Sequence, residues 1–432
     1  MKKSYLIAAG VAVIAVGWVL SGQFGGKEEK AAKPANDATA VKKKAALPRV
    51  KVRTSAALSK VNELVILGKT EASRRVSLKA ETAGRIIAIK AKKGDRVKKG
   101  DVIAAVMPNR PETVVAMLAA SSIGAVWTSC SPDFGIEGII DRIGQVKPKI
   151  LFTVGGYQYG GKHFDLTENI LSLSKKINSL NQIILVQKSP LNEINAIPEI
   201  VNFEDCLLND NDLQFESLPF NHPLFIMYSS GTTGKPKCII HGAGGTLLQH
   251  LKEHRLHTNI KKNDRVFFFT TCGWMMWNWL VSALASEATI VLYEGSPFFP
   301  DPNHLWKIAE EEKINIFGVS PRYLSSLMKE KHEPRKHNDL SSIKTILSTG
   351  SPLLVDHFEY IEKSIKDNTQ ISSISGGTDI ISCFALGNPN EPVYRGEIQS
   401  KGLGMAVKIF NASGEEVPTG EKGELVCTQS FP

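Results

Sequence analysis

No two of the six cysteines (Cys130, Cys206, Cys238, Cys272, Cys383, Cys427) stand in a CxxC pair, and their spacing forms no metal-ligand or disulfide framework. That excludes a zinc ribbon and a disulfide-stapled domain. It leaves free thiols, which fit a reducing compartment and the interior role of small hydrophobes. A Ser/His/Asp nucleophile arrangement is also lacking, as is a paired general acid and base; His241 and His250 read as ordinary surface or core residues. Acidic residues are scarce at one end. Residues 1–107 hold 23 Lys+Arg against 8 Asp+Glu, a balance of +15, although the whole chain carries only +9. Because the excess is confined to that end, nucleic acid is not expected as a partner of the chain as a whole.

The basic end has its own character. Residues 5–20 form a charge-free, mostly apolar run, short for an upright membrane-spanning helix but extendable through residues 21–26. Residues 1–26 are therefore expected to be an uncleaved membrane anchor, with a cleaved signal as the alternative. Residues 27–47, rich in Lys, Ala and Glu, read as a solvated linker. From residue 48 to 106 apolar runs punctuated by Gly68, Gly84, Gly94 and Gly100 predict short strands.

After Met107 the pattern changes. Pro111 and Glu112 suit the first turn of a helix, with Val115, Leu118, Ala119 and Ile123 as its apolar face. Helix-like and strand-like segments then alternate, which predicts an α/β architecture with a largely parallel sheet. Within it, a short apolar strand from Pro223 runs into residues 228–237, Tyr-Ser-Ser-Gly-Thr-Thr-Gly-Lys-Pro-Lys. Gly231 and Gly234 let the backbone turn so that several N–H groups face one anion, while hydroxyls and the ammonium groups of Lys235 and Lys237 meet its oxygens. The loop is a polyphosphate cradle in kind. It is not a Walker A loop, because two residues separate the glycines and Pro236 follows Lys235.

This loop resembles the nucleotide-binding loop of the adenylate-forming ligases, the acyl-CoA synthetases and their relatives, and residues 107–432 resemble the acetoacetate–CoA ligase branch throughout. Two more segments match in order and spacing: Leu-Ser-Thr-Gly-Ser-Pro at 347–352 and Ser-Ile-Ser-Gly-Gly-Thr-Asp at 373–379. The resemblance implies a truncated large ligase domain that joins an acid to coenzyme A through an acyl-adenylate, using ATP and Mg²⁺. Ser229, Ser230, Gly231, Thr232, Thr233, Gly234 and Lys235 would hold the β- and γ-phosphates. Gly350, Ser351 and Pro352 would lie along adenine, and Ser375, Gly376, Gly377 and Thr378 beside the α-phosphate. Thr233, Lys235 and Thr378 would be catalytic. Asp379 stands where the family has a glutamate, and would hold Mg²⁺. Trp274 and Met275, in the tryptophan-rich run 274–279, would line the acid pocket. Gly376 replaces an indole found in acetate-activating relatives, which would leave room for acetoacetate.

Residues 1–106, with a half lipoyl-type sandwich at 83–103, resemble the start of a periplasmic adaptor (membrane fusion) subunit of efflux pumps. No attachment lysine follows Val106, so it is no cofactor carrier. The fusion implies an N-terminally membrane-attached chain whose ligase part resembles a cytoplasmic enzyme. An adaptor subunit or a chimeric product without function are the alternatives. In the family the strand at 423–428 precedes the ribose-binding aspartate, a hinge and a mobile domain carrying a lysine. Their absence from the sequence leads us to expect little turnover, since losing one preorganised cationic donor costs about 10²–10³ in rate.

Overall fold

The computed structural model describes residues 97–186, 200–207, 213, 215–229 and 234–431. The expected anchor, the linker and most of the β-rich segment lie outside the described residues. Among the described residues no helix is long and apolar enough to cross a membrane.

Mostly apolar runs buried at every position, such as Ile-Leu-Phe-Thr-Val and Gln-Ile-Ile-Leu-Val, are what a parallel sheet covered on both faces requires. They form the inner part of a seven-stranded sheet. Its spatial order is β7 (Ile200–Asn202), β6 (Gln182–Val186), β3 (Ile150–Val154), β1 (Val102–Val106), β2 (Val126–Cys130), β8 (Pro223–Ser229) and β9 (Lys237–Gly242). All neighbours are parallel except β8 and β9, which form a hairpin. A small hairpin, β4 (Gly156–Tyr159) with β5 (Lys162–Asp165), leaves the end of β3. The second sheet is wholly parallel: β11 (Thr289–Val291), β10 (Arg265–Phe268), β12 (Ile316–Val319), β13 (Thr345–Ser348) and β14 (Gln370–Ser373). Antiparallel β15 (Ser375–Gly377), β16 (Ser382–Leu386) and β17 (Ser400–Lys401) follow, then the pair β18 (Val407–Phe410) and β19 (Glu424–Cys427). The helices between strands are α1 (Pro111–Ser122), α2 (Ile136–Ile143), α3 (Thr167–Lys176), α4 (Ala243–Lys252), α5 (Met275–Ser282), α6 (His304–Glu311), α7 (Pro321–Lys329) and α8 (Val355–Tyr360).

Side-chain alternation divides the second sheet between two cores. Val266, Phe268, Ile316 and Leu347 join the core of the first sheet and α5. Their neighbours Phe267, Phe317 and Ile346 pack on the opposite face, where Trp306 stacks on Phe317 at 4.5 Å between ring centroids.

Three expectations change. The boundary after Val106 moves, because β1 pairs with β2 on one side and β3 on the other and is buried to its end. Residues 102–106 therefore belong to the α/β unit and not to the β-rich segment. Helix α1 does begin at Pro111, but its buried residues are Thr113, Val114, Ala116, Met117 and Ala120, while Leu118 and Ile123 are exposed. The helix is apolar almost all round, so periodicity could not choose the face. Lastly, four thiols are buried, but Cys238 is exposed and Cys427 half-buried. Burial pushes the Cys130 thiol up to about 12.

The position of β1 gives a direct check. Ala104 is fully buried between Thr128 and Leu151. An unpaired carboxylate there costs several kcal/mol, a large share of the roughly 5–15 kcal/mol that holds a domain folded. Ala104→Asp should abolish the cooperative melting of the α/β unit in calorimetry. A variant that melts like the native chain would return β1 to a separate N-terminal segment.

Candidate active site

Strand β8 ends at Ser229, at the carboxyl edge of the first sheet, and β9 returns from Lys237, with Ser229 opposite Lys237 and Tyr228 opposite Cys238. Of the expected phosphate loop, Ser230, Gly231, Thr232 and Thr233 lie outside the described residues. Its flanks are defined. Ser229 is half-buried, Gly234 is exposed with open space where a Cβ would stand, and the carbonyl of Pro236 accepts from Gln145 Nε2 at 2.9 Å. The Lys235 ammonium lies 3.4 Å from Asp141 Oδ1 on α2, with 71% of its side chain exposed. An ion pair so exposed contributes about 0–1 kcal/mol, so Lys235 can leave it for a phosphate at little cost.

The other two segments sit side by side because their strands do. Ser348 on β13 pairs with Ser373 on β14, Ile374 N–H donates to Ser348 O at 2.9 Å, and Thr349 Oγ1 donates to Ile374 O at 2.9 Å. Gly350 turns the chain at φ 96°, a left-handed conformation that favours glycine. Ser351 and Pro352 then lie exposed beyond the carboxyl end of β13. Thr378 and Asp379 form the turn between β15 and β16, the first half-buried and the second exposed.

One contact ties this turn to the first sheet. His241 on β9 sets Nε2 2.8 Å from the carbonyl of Thr378. A carbonyl only accepts, so Nε2 carries the proton. Burial pulls the His241 pKa below 6.5, opposed by that carbonyl and by nearby Asp379. The β8–β9 hairpin and the turn holding Thr378 thus meet, with the Gly350 segment tied in through Thr349 and Ile374. The sequence reads His241 as an ordinary surface or core residue, and it is indeed buried; what β9 carries no motif to mark is its tie to Thr378.

The tryptophan-rich run divides. Trp277 and Trp279 are core residues whose indole N–H groups donate to Asn109 Oδ1 at 2.9 Å and Glu253 Oε2 at 3.0 Å. Met275, expected in the acid pocket, is only 7% exposed and packs into the core, since it begins the buried helix α5. Trp274, just ahead of that helix, is 60% exposed and meets Phe134 edge-on, and Arg142 lies 4.7 Å from the Phe134 ring centre. A small cleft close by is lined by Ser129, Met227, Tyr228, Cys272, Gly273 and Asn278. The Tyr228 hydroxyl bonds with Thr128 Oγ1 at 2.8 Å, and burial holds it protonated.

Gly376 has a different reason from the one expected. A Cβ built there would stand 2.2 Å from Ser382 O and 2.7 Å from Cys383 Cα, where the pairing of β15 and β16 is irregular. The bulged pairing demands glycine, and a side chain would strike β16 and not enter an acid pocket. Asp379 presents a single carboxylate, and among the described residues no group of three or more His, Cys, Asp or Glu could hold a metal. Mg²⁺ is commonly held by one or two carboxylates plus substrate phosphates, and Asp379 fits that arrangement.

Parallel strands carrying these turns at their carboxyl edges are the layout of nucleotide-binding α/β proteins. The family described as AMP-binding enzyme matches residues 93–431, and the chain belongs to that family. The chain is 50% identical over 335 residues to acetoacetyl-coenzyme A synthetase of Rhizobium meliloti (strain 1021), covering 77% of this chain and 51% of that protein. With acetoacetyl-CoA synthetase of Gallus gallus it shares 50% over 344 residues, 78% of this chain and 51% of the other. The solved acetoacetyl-CoA synthetase from Streptomyces lividans superposes with a TM-score of 0.73 at 43% identity, over 78% of this chain and 52% of that one. The chain spans about half the length of the curated relatives it matches.

Two outcomes follow from the geometry. Gly376→Ala overpacks β16 and should cost about 1–3 kcal/mol in denaturant unfolding; unchanged stability would show the bulge to be no constraint. His241, His250, His254 and His257 are all pulled below 6.5, in each case mainly by burial. A histidine held neutral in the folded chain but free to protonate in the unfolded one stabilises fully above 6.5, and the gain is lost as pH falls through that value. The melting temperature should stay level above about pH 7 and fall steadily toward about pH 5. A flat profile across that window would contradict these shifts.

Proposed function

We propose that the chain carries the ATP-handling and acid-handling part of an AMP-forming acid–CoA ligase, with acetoacetate as the acid and ATP, Mg²⁺ and coenzyme A as its other reactants. The observation that carries this reading is the joining of the Lys235 hairpin, the Gly350 turn and the Thr378–Asp379 turn, the first and last through His241. Family membership over residues 93–431 and the acetoacetyl-CoA synthetases among its relatives support the reaction and the acid.

The chemistry asks for positioning and charge compensation more than for acid–base groups. The acid's carboxylate oxygen attacks the α-phosphorus of ATP, and the bond to the pyrophosphate oxygen breaks in line. The thiol of coenzyme A then attacks the acyl carbon and AMP departs. Ser229, Gly234 and Lys235, with residues 230–233 between them, would hold the β- and γ-phosphates. Lys235 would trade Asp141 for a phosphate oxygen. Gly350, Ser351 and Pro352 would border adenine, since the left-handed turn leaves their backbone open at the surface. Ser375, Gly376, Gly377 and Thr378 would face the α-phosphate, with the Thr378 hydroxyl donating to it. Mg²⁺ would neutralise phosphate charge, held by Asp379. Trp274 would give the acid an exposed apolar wall beside Phe134. The charge-free run at residues 5–20 supports attachment of the same chain to a membrane.

Titration calorimetry on the 432-residue chain with Mg²⁺ and ATP tests the reading. Binding is expected, and Lys235→Ala should weaken it about 10–100-fold, the scale of one charge-assisted contact. Absence of ATP binding, or equal affinity in the variant, would falsify the assignment.

A further inference from the structure

Beyond the residues that would touch the nucleotide, a buried carboxylate lies behind the Thr378–Asp379 turn. Glu253, in the helical turn that continues α4, has no solvent exposure. Its Oε1 accepts from Ser382 Oγ at 2.5 Å and Cys383 N–H at 2.9 Å, and its Oε2 from the Trp279 indole N–H at 3.0 Å. The Cys383 thiol lies 3.5 Å from Oε2 and the Lys252 ammonium 3.6 Å from Oε1. Every neighbour is a donor, which is the setting a buried carboxylate needs. One helical turn earlier, His250 sets Nε2 2.9 Å from the carbonyl of Ile381 and Nδ1 2.6 Å from Ser282 Oγ.

Three successive residues, Ile381, Ser382 and Cys383, are thus gripped by His250 and Glu253. The grip acts on a strained backbone. Ile381 is β-branched yet adopts φ 46°, a conformation such residues avoid unless the surroundings impose it. It closes the turn that begins at Thr378. His241 holds the carbonyl of Thr378 from the other side, so the turn is fixed at both ends by buried polar contacts.

We propose that Glu253 is a positioning residue: by anchoring Ser382 and Cys383 it imposes the left-handed turn at Ile381 that aims Thr378 and Asp379 at the nucleotide phosphates. It touches no substrate itself. The claim rests on the nucleotide-binding reading above for its consequence, but not for the anchoring.

Glu253→Gln tests both parts in the full chain, because the amide cannot accept from all the donors. Hydrogen exchange without nucleotide reads the anchoring. Amides of residues 377–383 should exchange about tenfold faster, the scale of one buried contact, while β1 and β3 stay unchanged. No local acceleration, or a rise spread evenly over the unit, overturns the anchoring. Affinity for Mg²⁺ with ATP reads the consequence, against Leu324→Ala, a fully buried position in the other core. Glu253→Gln should lose about tenfold in affinity, whereas Leu324→Ala should lower the melting temperature and keep affinity within about threefold. Equal losses in the two variants overturn the positioning role. If the native chain binds no nucleotide, the functional reading falls, and the exchange result still decides the anchoring. If Glu253→Gln does not fold, Ser382→Ala removes one of the same donors and is read identically.

Discussion

A hydrogen bond between a buried imidazole and a backbone carbonyl joins the parts of this molecule on which the proposed chemistry depends. His241 belongs to the last strand of the seven-stranded sheet, and Thr378 to the turn between β15 and β16 of the three-stranded one. Gly350 follows β13 of the five-stranded one, so no single sheet carries the three segments proposed to face the nucleotide. Burial favours the neutral ring, and Nε2 must carry the proton that the Thr378 carbonyl accepts. Apolar packing brings the sheets together but has no direction; the donor and acceptor set where the turn stands. Below the turn, α4 and its extension bury polar residues, and two of these, His250 and Glu253, specify the path of the chain into β16.

The arrangement suits the proposed reaction, which needs alignment more than proton transfer. Groups at the edges are exposed and loosely held, as the Lys235 pair with Asp141 illustrates. Groups one layer in are buried and fully engaged, as Glu253 illustrates. Exposed members can exchange a protein partner for a phosphate, while the buried layer keeps the frame from following them. Trp274 fits the same logic, exposed just ahead of α5 with Phe134 as its ring partner, while the two later indoles on α5 are locked into the core by hydrogen bonds.

Much of this could be read from residue types alone, for identifiable reasons. The strand before Ser229 was legible because three buried apolar residues precede a cluster of turn formers. The start of α1 was legible from Pro111, and the α/β order from strands too apolar to face water. The segments around Gly350 and Thr378 could be named but not placed, since their adjacency comes from β13 and β14 pairing in register. The limit of the unit was misjudged because Val-Ile-Ala-Ala-Val would serve any sheet, and only its two partners decide which. Gly376 was misread because the sequence cannot show which way an absent Cβ would point. Met275 could not be placed because its helix is buried all round, so the pattern does not single out one face. Glu253 gave no signal at all, as a glutamate between Lys252 and His254 looks like any solvated helix face.

The uneven burial of the thiols makes the chain a natural carrier for an optical reporter. Cys130, Cys206, Cys272 and Cys383 are enclosed, whereas Cys238 is exposed on β9, the strand that follows the proposed phosphate loop, directly opposite Tyr228. A maleimide dye would therefore find Cys238 and half-buried Cys427 first, although partial burial raises the Cys238 thiol pKa and slows the coupling. With Cys427 replaced by serine, a fluorophore would sit one residue beyond Lys237, where occupancy of the neighbouring loop can be followed as a change in emission without a radioactive substrate or a coupled assay.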